Sequence, residues 1–198
     1  MKPNAIITYI IIAINCIVFL IETLLWWSTN LSVAYNFWAH YTPVMAAEPR
    51  RFITAMFLHF WIIHLFLNML ALHNIWPLIE TLLWKRKYLL IYLVSGLSWN
   101  LAVFFWESYT WNYSLSAGAS GAIFWILWAI LAIVIMLKQQ SKNVNVRGVV
   151  LSILYSLAPW FIISWISLTA HIGGLIWGFI ITNILLLINK KNQQSQEN

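Results

Sequence analysis

Five long apolar runs, almost free of charge, decide what this chain can fold into: Ala5 to Trp27, about Ile62 to Leu83, Tyr88 to Trp106, Ala119 to Leu137, and Gly148 to Asn189. A bilayer-spanning helix needs roughly 20 mostly apolar residues, because backbone in hydrocarbon must satisfy its own hydrogen bonds. The first four runs fit one helix each. The fifth has 42 residues and would make a rod of about 63 Å against a hydrocarbon core of about 30 Å, so it must divide. Pro159, Ser164, Ser167 and Thr169 mark where it turns. The expectation is an all-α integral membrane protein of six transmembrane helices, at about 5–27, 62–83, 88–106, 119–137, 148–163 and 169–188. They form one membrane domain over 1–188. The polar remainder, 189–198, has no apolar face to bury and is expected to be a disordered cytoplasmic tail.

Composition supports this: 62% of residues are apolar and 8% charged, outside the range of soluble domains. Fourteen Trp suit a chain with many membrane–water interfaces. The net charge of +6 does not point to nucleic acid, because the cations cluster beside apolar runs instead of lining one face. On the six-helix plan Lys2, Lys85, Arg86, Lys87, Lys138, Lys142, Arg147, Lys190 and Lys191 fall on one side, and Arg50 and Arg51 on the other. The excess places both termini in the cytoplasm, for a multi-pass protein of the cell membrane. The first run lacks a small-residue cleavage site, so it reads as a retained helix. The aromatic connection Ser28 to Arg51 is expected to lie partly in the outer interface. Cys16 is the single cysteine and has no disulfide partner within the chain.

Polar residues inside spans are costly, so each is a candidate for function. Ser120, in Gly118-Ala119-Ser120-Gly121, opens the fourth helix; His171 opens the sixth; His64 and Asn68 sit near the start of the second. All fall at similar depth on the outer side. A serine becomes a nucleophile when a neutral imidazole takes its proton, and His171 is the candidate base. Backbone N–H groups at a helix start suit a developing oxyanion. His64 and Asn68, spaced i, i+4, share a helical face and offer further donors. Five of the seven glycines, Gly118, Gly121, Gly173, Gly174 and Gly178, lie beside the proposed Ser and His. Gly174 and Gly178 form a small-xxx-small pair that permits close helix packing. Packing alone also accounts for such glycines. The chain contains no Asp, and Glu107 is the one carboxylate near the outer end of a helix close to the site, so a Ser–His dyad is the simpler arrangement. The histidine spacing does not suggest a metal. His40, His59 and His73 read as packing residues.

Phe57-Leu58-His59, His64-Leu65, Asn68-Met69, Gly118-Ala119-Ser120-Gly121 and Ala170-His171 with Gly174 and Gly178 together resemble the rhomboid intramembrane proteases, over about Arg51 to Gly178. The resemblance implies Ser120 as nucleophile, His171 as base, and His64, Asn68 and the Ser120 N–H as oxyanion donors. It places the aromatic face of Phe124 under His171. The family's Trp-Arg pair reads Arg50-Arg51 here. Glu80 matches its late acidic residue in the second helix, with Trp76 and Trp84 where glycines are usual.

The function expected is that of a serine endopeptidase cutting transmembrane or juxtamembrane segments of membrane proteins, with no cofactor, in contact with lipid and not nucleic acid. Its substrates should carry a helix-destabilised segment. The alternatives are an inactive relative that binds membrane clients and a small transporter.

Overall fold

A computed structural model describes residues 5–26, 28–82, 85–124 and 151. The chain divides into two units, Met1–Ile123 and Phe124–Asn198, and the architecture below is that of the first. The spans expected beyond residue 124, the tail 189–198, and His171, Gly173, Gly174 and Gly178 lie outside the described residues, as does Trp84; the Trp76 side chain is likewise not described.

Helix α1, Ile6–Trp26, has 21 residues and measures about 32 Å, the thickness of a hydrocarbon core. It is turned inside out relative to a helix of a soluble protein. Ile10, Ile14, Ile17, Ile21 and Leu24 form an exposed stripe at helical spacing, while Thr8, Asn15 and Glu22 are buried. Such a surface is stable only against an apolar solvent.

The connection that follows holds two short helices. In α2, Leu31–Asn36, the Asn30 side chain caps the first turn by accepting from Ser32 N. In α3, Thr42–Met45, Pro43 occupies the first turn, where its missing N–H costs nothing. Next come α4, Arg51–Thr54, and a 3-10 turn, Ala55–Phe57. Arg51, counted in the sequence as an outer charge, is buried. Its Nε donates to Glu48 Oε2 at 2.7 Å and its Nη1 to the carbonyls of Tyr35 and Ala39 at 2.9 and 2.8 Å. A guanidinium with five donors can bind several carbonyls of one turn at once. Arg50 instead stacks over the Trp38 ring at 4.6 Å.

Helix α5, Ile62–Leu82, runs antiparallel to α1 and packs along it. A carboxylate ties each end of the pair. Glu80, late in α5, accepts from Ile7 N, Thr8 N and Thr8 Oγ1 at 2.8–2.9 Å. Negative charge is favourable at those unpaired N–H groups of the first turn. Glu22, late in α1, accepts from His59 N, just before α5, at 3.3 Å. Helix α6, Lys85–Thr110, has 26 residues, three more at its start and four more at its end than the apolar run 88–106. Hydropathy marks the hydrocarbon-facing part of a helix, whereas α6 continues through Lys85, Arg86 and Lys87. Gly96 of α6 receives the Met56 thioether, which a side chain there would displace.

Among the described residues two helices, Ile6–Leu25 and Tyr88–Thr110, are long and apolar enough to cross a membrane. A third candidate is the pair Arg51–Phe57 and Ile62–Asn74, bent by 90° at the break between them. No strand occurs among the described residues; one isolated bridge joins His40 and Ser116.

Candidate active site

Ser120 opens a helix whose first turn closes with Ile123 N donating to Ala119 O at 3.1 Å. The glycine before that turn is not ornamental. Gly118 has φ +132° and its N–H donates to Ala55 O at 2.8 Å, a backbone conformation that glycine alone adopts without strain. A Cβ placed there would lie 2.8 Å from both Cε1 and Nε2 of His64, and 3.6 Å from Ser120 Oγ. The bare glycine therefore brings the His64 imidazole and the Ser120 hydroxyl against the same small space. Ser120 is 8% exposed, covered yet not sealed. Gly121 is packed in another direction, against the Trp99 side chain of α6.

His64 and Asn68 occupy successive turns of α5, as their spacing requires. The Asn68 amide donates to His64 O at 2.9 Å. A side-chain amide carries two N–H donors, and that bond uses one. Its Oδ1 is buried without a partner among the described residues. The His59 ring meets His64 edge-on, centroids 5.0 Å apart, and both His59 nitrogens are buried without partners among the described residues. Unmet polar groups of this kind favour entry of water. Phe124, the first residue of the second unit, is buried.

A second polar cluster holds the approach to Ser120. Along the extended stretch before it, alternate residues are bonded. Ser114 N and Oγ donate to Glu107 Oε1 at 3.1 and 2.6 Å; Ser116 exchanges two backbone bonds with His40 at 2.9 and 3.0 Å; Gly118 is bonded to Ala55. The His40 ring is fully buried. Its Nδ1 faces Asn100 Oδ1 at 3.0 Å, and Asn100 Nδ2 donates to Phe52 O at 2.8 Å. That second bond fixes the amide with its oxygen toward His40, so Nδ1 carries the imidazole proton. Nε2 lies 3.1 Å from Thr42 Oγ1, which donates to Glu107 Oε2 at 2.5 Å. Burial holds the His40 pKa below its ordinary value of 6.5, outweighing the attraction of Glu107 and the bond to Asn100; Arg51 acts in the same downward direction.

From the sequence alone His40 reads as a packing residue and Glu107 as a lone carboxylate near the site. The structure joins them, with Nε2 and Oε2 3.8 Å apart. A signal existed: Asn100 and Glu107 are seven residues apart, hence on one face of α6, beyond its basic first turn and in a largely apolar part of the helix.

A family model described as a rhomboid domain matches residues 46–188. The chain is 34% identical over 179 residues to "Rhomboid protease GluP" of Bacillus subtilis, a match covering 90% of this chain and 34% of that protein. It is 28% identical over 144 residues to "Putative rhomboid protease YdcA" of the same organism, covering 73% of this chain and 70% of the relative. To "RHOMBOID-like protein 6, mitochondrial" of Arabidopsis thaliana it is 34% identical over 148 residues, covering 73% and 46%. It thus spans about a third of the length of the first relative and just under half of the third. With inside-out helices, a helix-opening serine beside an imidazole, and a match over most of its length, this chain belongs to the rhomboid family.

Proposed function

We propose that the chain is an intramembrane serine endopeptidase, with Ser120 as nucleophile and His171 as general base, cutting membrane-spanning or juxtamembrane segments of other membrane proteins. The observation that carries this reading is Ser120 itself: a nearly buried hydroxyl at the first turn of a helix, sharing the space above Gly118 with the His64 imidazole. Free N–H groups of that turn, the second N–H of Asn68 and a protonated nitrogen of His64 would receive the developing oxyanion. The unmet polar atoms of His59 and Asn68 give water a reason to enter. Relatives named rhomboid proteases support the reaction class.

In this reading six spans form one domain over 1–188 with both termini cytoplasmic, and 189–198 is a polar tail. Phe124 lies under His171, and Gly174 and Gly178 bring the sixth helix close to the fourth. A peptide bond in an intact helix is shielded, so substrates carry Gly, Pro or other weak helix formers near the outer end of their span. The protein in detergent should label with a fluorophosphonate and cleave a single-span test substrate on its outer side. Ser120→Ala and His171→Ala should each abolish both while leaving the thermal midpoint near wild type. Cleavage surviving in either variant overturns the dyad.

A further inference from the structure

The two polar clusters of the first unit are linked by a short length of chain. From Glu107, near the outer end of α6, a chain of polar contacts runs through Thr42, whose hydroxyl donates to Glu107 and whose oxygen lies against His40 Nε2, to His40 and on through Nδ1 to Asn100, back on α6. The same Glu107 holds Ser114, and the His40 backbone holds Ser116. Three residues separate Ser116 from Ser120. An extended stretch has no internal hydrogen bonds of its own, so its course is set by these lateral ties together with the packing of Leu115 and Ala117 against Ala34, Ala39 and Leu58. The position of Ser120 relative to His64 therefore depends on groups contributed by the connection after α1, which supplies no reacting atom.

We infer that the chain Asn100–His40–Thr42–Glu107 is a positioning clamp for the nucleophile. Thr42 and His40 act as positioning residues through the 114–118 stretch. The Thr42 hydroxyl is the weak point, because its one proton serves Glu107 while its oxygen packs against His40 Nε2. Replacing it by a methyl removes the proton donated to Glu107 Oε2 and leaves that buried carboxylate oxygen facing an apolar group. The stretch then loses its register toward Ala55 and Gly118. A displacement of about 1 Å at a reacting group costs on the order of 10²-fold in rate, so a partial shift is expected to cost about tenfold.

This inference rests on Ser120 being the nucleophile, and the test keeps the two apart. Thr42→Val, isosteric with threonine, and Thr42→Ser, which retains the hydroxyl, are compared with wild type by two measurements on the full chain in detergent. The first is hydrogen exchange in the peptide covering 112–119, which needs no catalysis. The second is inactivation by a fluorophosphonate, resolved into its maximal rate and its half-saturating concentration. Thr42→Val should exchange faster and lose about tenfold in maximal rate with little change in half-saturation; Thr42→Ser should recover both. Glu107→Gln, which keeps one carbonyl acceptor, should show a smaller loss in the same direction and serves if Thr42→Val is poorly produced. Unchanged exchange in Thr42→Val overturns the clamp whatever the probe does. Faster exchange with an unchanged maximal rate overturns its link to the nucleophile. A wild type that never labels removes the catalytic reading of Ser120, and the clamp then stands or falls on exchange alone.

Discussion

Adding one methyl group at Gly118 tests the geometry of the site more sharply than removing a catalytic group. Gly118→Ala meets two obstacles. A φ of +132° is outside the ordinary range of an L-residue, and holding alanine there costs on the order of 1–3 kcal/mol. The new Cβ would also sit 2.8 Å from two ring atoms of His64, whereas unstrained carbon contacts lie at about 3.5–4.0 Å. The ring, the loop or both must move by about 1 Å, a displacement that costs on the order of 10²-fold in a reaction dependent on that geometry. The two effects separate by measurement. Thermal unfolding in detergent reports the backbone strain, and the fluorophosphonate labelling rate of the folded fraction reports the misplacement. Their origin is distinguished by Gly118→Ala combined with His64→Ala. With the ring gone the clash disappears, so the double variant should label no more slowly than His64→Ala alone, a plain failure of additivity. Gly96→Ala is the control, because its obstacle is the flexible end of Met56. Gly118→Ala labelling within twofold of wild type at an unchanged thermal midpoint would refute the argument.

Other substitutions follow from the same contacts. His64→Ala and Asn68→Ala should each lower the maximal cleavage rate by about 10²–10³ if they donate to the oxyanion, less if each covers for the other; neither falling would remove that role. Glu80→Gln preserves shape but removes the charge that receives three donors from α1, and should lower unfolding stability by about 1–3 kcal/mol, read from denaturant unfolding in mixed micelles. His40 has its folded-state pKa below 6.5, so its contribution to stability is present above the unfolded value and lost as pH falls through the folded one. The wild-type thermal midpoint should therefore drop more steeply on acidification below about 6.5 than that of His40→Asn; parallel curves would contradict the burial argument.

How far these features could be read beforehand depends on the range of the interaction that makes them. Helices α1, α5 and α6 were legible because hydrophobic runs of about 20 residues have one solution in a bilayer. The helix start at Ser120 was legible because the glycines beside it are local. Gly118 was legible only in part: its place beside the serine suggested close helix packing, while its actual task is a positive φ and room for an imidazole. The short helices α2, α3 and α4 carry less than two turns each, too little for a periodic signal. His40 reads as packing in the sequence because its partners on α6 stand 60 and more residues away, and periodicity says nothing about which helix a loop residue will meet. Arg51 was placed on the outer side by charge counting, a rule blind to whether a cation is solvated or wrapped in carbonyls.

Carboxylates fastening the α1–α5 hairpin at both ends make it a strut of fixed length. Sliding one helix past the other by a single turn, about 5.4 Å, would pull Glu80 away from the α1 amides and Glu22 away from His59 together. The pair can tilt as a unit but cannot shear. When the surrounding bilayer is thinner or thicker than the strut, the lipid must compress, stretch or tilt to meet it, at a cost of fractions of a kcal/mol per Å of mismatch. Membrane thickness thereby becomes a force applied to the whole hairpin and to the polar groups at its His59 end, and not a change in the register of its helices.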